Sequence, residues 1–114
     1  MKTFYRINHE QTQQGLWYAF NGDFTGLIHD TFNFCMNSEL KMDFDPELVG
    51  FLSAVTSIDD LYHWFSKADI IRLQELGWFI HEYQTDDFKW YNRFSHWVIN
   101  QTNSLVVRKI VLTP

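Results

Sequence analysis

Cysteine is nearly absent from this chain. Cys35 is the only one in 114 residues, so no intramolecular disulfide can form and nothing indicates an oxidising compartment. Long apolar runs are absent too: the opening MKTFYRINHE turns polar within a few residues, unlike a signal peptide, and no segment approaches the ~18 apolar residues of a membrane span. We therefore expect a soluble, cytoplasmic protein that does not contact a membrane.

The usual signatures of metal and nucleotide sites are also missing. Five histidines are present, but neither HExxH nor another close ligand spacing occurs, so we expect no metal site. The five glycines are scattered, which excludes a P-loop or GxGxxG phosphate site. Nine Lys and Arg against fourteen Asp and Glu give a formal charge of −5, and this balance opposes binding to nucleic acid.

Aromatic residues, in contrast, are plentiful: the chain has five Trp, five Tyr and eleven Phe. Each large ring buries roughly 150 to 250 Å², and a chain of this length corresponds to a single domain over residues 1–114. The rings therefore form either a tightly packed core or an exposed patch. A patch beside acidic clusters would suit a protein partner with a basic surface, and a homodimer would use it equally well.

Alternating apolar residues predict strands at both ends of the chain. Residues 3–8 form a first strand, and an Asn-Gly turn predicts a hairpin between 16–20 and 23–28. Residues 30–44 show no clear period and are predicted to be mainly loop. The segment 78–112 predicts three strands, WFIHEYQ, FKWYNRFSHWVIN and SLVVRKIVL, separated by the polar breaks TDD and NQTN.

Helix signals lie in the middle of the chain. Pro46 is suited to a first helical position and predicts a short helix toward Leu52. Ser57 and Ser66 are each followed by acidic residues, as at helix amino termini, and Gly77 predicts a left-handed stop. The fold class is therefore α+β: a mostly antiparallel sheet of five to six strands with two or three short helices against it.

Two residues invite a chemical interpretation. Arg6 lies in the middle of an aromatic strand and must either point to solvent or meet an anion; simple alternation places it toward solvent, with its two neighbours facing the core. Cys35 lies among Phe and Met residues, which is typical of a buried apolar thiol. As a nucleophile it would need His29 or His96 within hydrogen-bond reach.

Three segments, in order, resemble the ADP-ribosyltransferase-like fold: the FYRI strand, GFLSAVTSIDDLYHWF, and the closing HEYQ and SHWVINQTNSLVVRKIVL strands. The resemblance implies a domain that recognises NAD or an ADP-ribose-like ligand and modifies a host protein. It assigns catalytic positions to Arg6, Ser53 and His96. Arg6 would clamp the pyrophosphate, Ser53 would line the pocket, His96 would face the ribose, and the ring of Trp17 or Tyr18 would stack on a base or nicotinamide.

The third of these positions, His96, leaves open whether the protein is an enzyme. The family has a Glu or Gln there, where this chain has the Ser95-His96 step, and Glu82 lies on an earlier strand. An inactive NAD-binding relative fits equally well. The alternative is a non-enzymatic protein-binding inhibitor or adaptor using an aromatic and acidic surface, since small size and aromatic richness also resemble uncharacterised proteins of phages and mobile elements.

Overall fold

The computed structural model describes residues 1–16, 32–35 and 45–114. Within these residues the chain forms six strands, which are β1 Lys2–His9, β2 Phe51–Ala54, β3 Trp78–Thr85, β4 Phe88–Tyr91, β5 His96–Asn100 and β6 Leu105–Ile110. The two α-helices are α1 Ile58–Leu61 and α2 Lys67–Glu75, and single 3-10 turns cover Asn33–Cys35, Pro46–Leu48 and Gln101–Asn103. This mixture confirms the predicted α+β class.

All pairing between these strands is antiparallel, but it builds two sheets. Sheet 1 has the order β1-β3-β6 and sheet 2 the order β2-β5-β4. The expected single sheet is therefore wrong, although six antiparallel strands are present among the described residues. The sheets meet at a backbone bridge, where Tyr5 donates to the carbonyl of Val55 at 2.7 Å and Val55 donates to that of Tyr5 at 3.0 Å.

The two helices cover one face of sheet 1. Ile7 and Ile80 on this face belong to a buried apolar cluster with Leu61 of α1 and with Ile70 and Leu73 of α2. These five side chains are at most 5% exposed. The helical segment therefore places its apolar stripe on the sheet, as expected for an amphipathic helix.

The opposite face of sheet 1 packs against sheet 2. Phe4 and Tyr83 from sheet 1 and Ala54 and Ile99 from sheet 2 are all fully buried in one cluster. Because helices cover one side of β1 and sheet 2 covers the other, β1 is buried on both faces. This double burial determines the environment of Arg6 and Asn8, which are 6% and 0% exposed.

The predicted helix starts are confirmed. The hydroxyls of Ser57 and Ser66 each accept a hydrogen bond from the backbone N–H three residues later, at 3.2 and 3.1 Å. Gly77 has φ 89° and ends the α2 segment, as predicted. The first of these helices is short: α1 ends at Leu61, and Trp64 lies beyond it.

The helix predicted from Pro46 toward Leu52 is wrong beyond its first turn. A 3-10 turn covers Pro46–Leu48, and Gly50, with φ 89°, then reverses the chain into β2. Strand β2 pairs along its length with β5. This non-local pairing outweighs the local helix signal.

The segment FKWYNRFSHWVIN is a hairpin, whereas one strand was predicted. Strands β4 and β5 pair with Trp90 opposite Trp97 and Tyr91 opposite His96. The turn between them contains Ser95 with φ 52°, a left-handed conformation. The predicted break TDD is confirmed as the β3–β4 connection, and NQTN as the 3-10 turn before β6.

Some predictions fall outside the described residues. These are the hairpin at 16–28, apart from Leu16, and the loop at 30–44, apart from residues 32–35. Within residues 32–35, Cys35 is buried as predicted, and burial raises its pKa to about 12. No helix in the described part of the chain is long and apolar enough to span a bilayer.

Candidate functional site

Arg6 points into the protein, between the two sheets. Its side chain is only 6% exposed, so the predicted solvent-facing orientation is wrong. The alternation itself holds: Phe4, Arg6 and Asn8 share one face of β1. The prediction failed because sheet 2 covers that face as well.

The guanidinium of Arg6 is incompletely satisfied. One of its terminal nitrogens donates to the backbone carbonyl of Ser53, but the buried Nε has no hydrogen-bond partner. No carboxylate of the described residues forms an ion pair with it. Burial lowers the pKa of Arg6 to about 10, which leaves the group protonated at pH 7. A buried ion without a counter-ion costs several kcal/mol.

The cross-strand neighbour of Arg6 is His81. Nδ1 of His81 lies 3.0 Å from the carbonyl of Phe79, which only accepts, so Nδ1 carries the proton and Nε2 faces the Gln13 amide at 3.4 Å. Burial lowers the pKa of His81, and the positive charge of Arg6 lowers it further. His81 is therefore neutral at pH 7 and adds no second charge.

Beside this pair lies a network of buried amides around Tyr83. Its hydroxyl donates to Oε1 of Gln13 at 2.5 Å and accepts from the amide of Asn8, while Gln101 donates to the Gln13 carbonyl at 2.6 Å. Tyr83 also lies within electrostatic range of Arg6. The Tyr83 cleft, of about 220 Å³, opens over this network and is lined by Gln13, Tyr83, Gln101, Thr102 and Val106.

Ser53 joins Arg6 to a second histidine. While its carbonyl accepts from Arg6, its hydroxyl lies 3.0 Å from Nε2 of His96. Nδ1 of His96 lies 3.3 Å from the carbonyl of Phe94, so Nδ1 carries the proton and Nε2 accepts from the Ser53 hydroxyl. Burial lowers the pKa of His96. A neutral imidazole thus polarises a serine hydroxyl, an arrangement able to hold or move a proton.

His96 also lines a second opening, the tryptophan cleft. This cleft of about 260 Å³ lies where the end of β2, the β4–β5 hairpin and the α1 segment meet. The residues that line it are Ala54, Val55, Thr56, Asp60, His63, Trp64, Trp90, Ser95, His96 and Trp97. Three indole rings, two imidazoles and one carboxylate therefore surround the same small volume.

The structure brings together the three residues that the resemblance assigned to catalysis. Arg6 contacts Ser53, and Ser53 contacts His96. Of the three, only His96 lines a described cleft. Trp17 and Tyr18, expected to stack on the ligand, lie outside the described residues.

Sequence reasoning missed the acid and most of the rings in the tryptophan cleft. Asp60 follows a helix cap, where a carboxylate has a structural explanation. Trp90 and Trp97 are seven residues apart and meet only because the chain turns between them. A turn recognised at residues 92–95 would have predicted that pair.

Comparison with known protein families, curated proteins and solved structures finds no match to this chain. The similarity to the ADP-ribosyltransferase-like fold therefore depends on the segments quoted above alone. Among the described residues, no group of three or more His, Cys, Asp or Glu side chains is arranged to hold a metal ion. Function must accordingly be argued from the chemistry of the site.

Proposed function

We propose that this protein recognises NAD or an ADP-ribose-like ligand and that Arg6 binds its pyrophosphate. The observation that carries the proposal is the buried guanidinium, whose Nε has no partner and which no described carboxylate neutralises. A diphosphate supplies both the negative charge and the acceptor oxygens that this group lacks, and planar guanidinium groups suit phosphate oxygens.

The Ser53–His96 pair is the proposed ribose contact. Ribose hydroxyls both donate and accept, and the pair offers a hydroxyl and a neutral imidazole held 3.0 Å apart. Arg6 donates to the backbone carbonyl of Ser53, which links the proposed phosphate contact to the β2 residue of the proposed ribose contact. Transfer of ADP-ribose to a host protein would additionally need a carboxylate near the sugar, and Asp60 is the carboxylate that lines the cleft beside His96.

Isothermal titration with ADP-ribose, NAD and adenosine tests this proposal. We expect ADP-ribose and NAD to bind and adenosine, which lacks phosphate, to bind far more weakly. Arg6→Gln should weaken ADP-ribose binding by about 10- to 100-fold, because a hydrogen bond to a charged group contributes roughly 1.5–3 kcal/mol.

Arg108→Gln is the matched control for that titration. Arg108 is exposed and pairs with Glu82 at 3.1 Å, away from the sheet interface, so its removal should leave the affinity unchanged. The absence of heat with both ADP-ribose and NAD, or an equal loss of affinity in both variants, would contradict the proposal.

A second candidate function is non-enzymatic protein binding, and strand β6 favours it. Of the described aromatic residues only Trp90 is largely exposed, so the exposed apolar surface is aliphatic instead. Its members are Leu105, Val106, Val107 and Val111, each at least 42% exposed. Among the described strands β6 is an edge of sheet 1, and a second copy of this chain that added its own strand would cover these side chains.

A further inference from the structure

The tryptophan cleft contains two pairs of perpendicular rings. Trp90 and Trp97 have centroids 5.2 Å apart at 75°, and Trp64 and His96 have centroids 5.5 Å apart at 79°. Indole faces carry negative electrostatic potential, so the exposed indole in this lining attracts a cation.

The charged side chain in the lining of the cleft also favours a cation. Within residues 1–16, 32–35 and 45–114, Asp60 is the only Asp, Glu, Lys or Arg that lines the cleft, and no cation pairs with it. His96 in the lining has a lowered pKa because of burial and is neutral at pH 7. The cleft therefore offers the Asp60 carboxylate beside π faces, an arrangement that favours a positive group.

One ring of the cleft already binds a cation within the protein. The ammonium of Lys2 lies 3.9 Å from the ring centroid of Trp97, although Lys2 does not line the cleft. Trp90, in the same cleft, is 50% exposed and has a free surface to offer. Exposed indole is normally covered when a partner is present.

We infer that the tryptophan cleft binds an alkylated ammonium group, either of a choline-type small molecule or of a methylated lysine side chain. Its volume of about 260 Å³ is below the roughly 300–1,000 Å³ of pockets for drug-sized ligands, so a compact group fits. Alkylated ammonium groups are the cations that aromatic cages recognise. The inference does not depend on Arg6 and adds a cation site to the proposed recognition of an anion.

Titration with choline and with its neutral isostere 3,3-dimethyl-1-butanol shows how much of the affinity comes from the charge of the ligand and how much from its shape. Both ligands have the same bulk and hydroxyl group, but only choline is charged. We expect choline to bind at least 10-fold more tightly. A trimethyl-lysine peptide and its unmodified counterpart form the second arm, and preference for the peptide or for choline identifies the source of the ammonium group.

Two variants with matched controls locate the site. Asp60→Asn should weaken choline binding about 5-fold, and Trp90→Ala should weaken it about 10-fold. The controls are Asp59→Asn and Leu76→Ala, which should leave choline binding unchanged. Both control residues are exposed and lie outside the lining of the cleft. Arg6→Gln should also leave choline binding unchanged, which distinguishes this site from the proposed phosphate contact. Equal affinity for choline and its isostere, or no binding of either choline or the methylated peptide, would overturn the inference.

Discussion

At the scale of single residues, Arg6 is the only buried Lys, Arg, Asp or Glu among the described residues. His81 lies opposite Arg6 on neighbouring strands, and burial together with this neighbour lowers the pKa of His81. Lys109 on β6 lowers it as well, while Glu10, paired with Lys109 at 2.6 Å, acts in the opposite direction. Burial lowers the pKa of His96, while its hydrogen bond to the Phe94 carbonyl acts in the opposite direction. Both imidazoles therefore resist protonation in the folded state.

This difference between the folded and unfolded states predicts acid sensitivity. In the unfolded chain both histidines regain their ordinary pKa of 6.5, so the unfolded state binds protons more readily. Stability is fully present above pH 6.5 and is lost as the pH falls, by at most about 1.4 kcal/mol per pH unit for each histidine. Urea denaturation at pH 7.5 and 5.5 should show a lower free energy of unfolding at pH 5.5.

Substitution identifies the groups responsible. His81→Asn should reduce the difference in the free energy of unfolding between pH 7.5 and pH 5.5. An equal difference in the wild type and His81→Asn would show that other groups determine the acid response.

At the scale of elements, the end of α2 depends on one glycine. Gly77 has φ 89°, and an added Cβ would lie 3.3 Å from Nε2 of His9. A left-handed conformation costs an ordinary residue about 1–2 kcal/mol, so Gly77→Ala should lower the free energy of unfolding by that amount or more. Gly50 has the same φ, so Gly50→Ala measures the cost of a left-handed backbone at a second position.

Urea denaturation of these two variants measures both contributions. The loss in Gly77→Ala should exceed that in Gly50→Ala, because the contact with His9 adds to the strain. A Gly77→Ala protein as stable as the wild type would contradict the role of this residue in ending the helix.

Also at the scale of elements, strand β6 predicts that two copies of the protein associate. Its outer edge pairs with no other described strand, and its two basic residues are already neutralised, Arg108 by Glu82 and Lys109 by Glu10. Two copies can therefore align β6 edge to edge without uncompensated like charges. Light scattering at rising concentration should show twice the monomer mass, and Val107→Lys should return it to the monomer mass.

The control for this measurement is Val49→Lys. Val49 is 51% exposed, like the β6 residues, but lies outside both sheets. Its substitution should leave the dimer intact. A wild-type protein that stays at the monomer mass at all concentrations would exclude this use of the β6 edge.

At the scale of the whole molecule, signals within a few adjacent residues predicted individual helices and strands. Pairing between strands that are distant in sequence determined how the sheets are arranged. The serine caps, the glycine stop and the alternation of β1 are features of a few adjacent residues, and they were predicted correctly. The division into two sheets depends on β2 meeting β5 and on β4 folding back, contacts between residues far apart in sequence. Propensity carries no information on such pairings.

The candidate site shows the same division. Arg6, Ser53 and His96 were named from the resemblance, and the structure places them in contact. That Arg6 is buried depends on sheet 2 covering β1, which alternation within one strand cannot reveal. The tryptophan cleft is likewise assembled from three separate segments, so its acid and rings share no sequence pattern.

The proposed function requires above all that Arg6 is kept in its buried position to bind a ligand and not to stabilise the fold. Removing a buried charge that no described carboxylate neutralises relieves a desolvation cost of several kcal/mol, while the lost hydrogen bond from the charged guanidinium to Ser53 costs roughly 1.5–3 kcal/mol. The free energy of unfolding of ligand-free Arg6→Met therefore tests the account most directly. We predict that it rises by about 1 kcal/mol or more above the wild type while ADP-ribose binding is lost; a fall below the wild type would show that Arg6 serves the fold and would contradict the account.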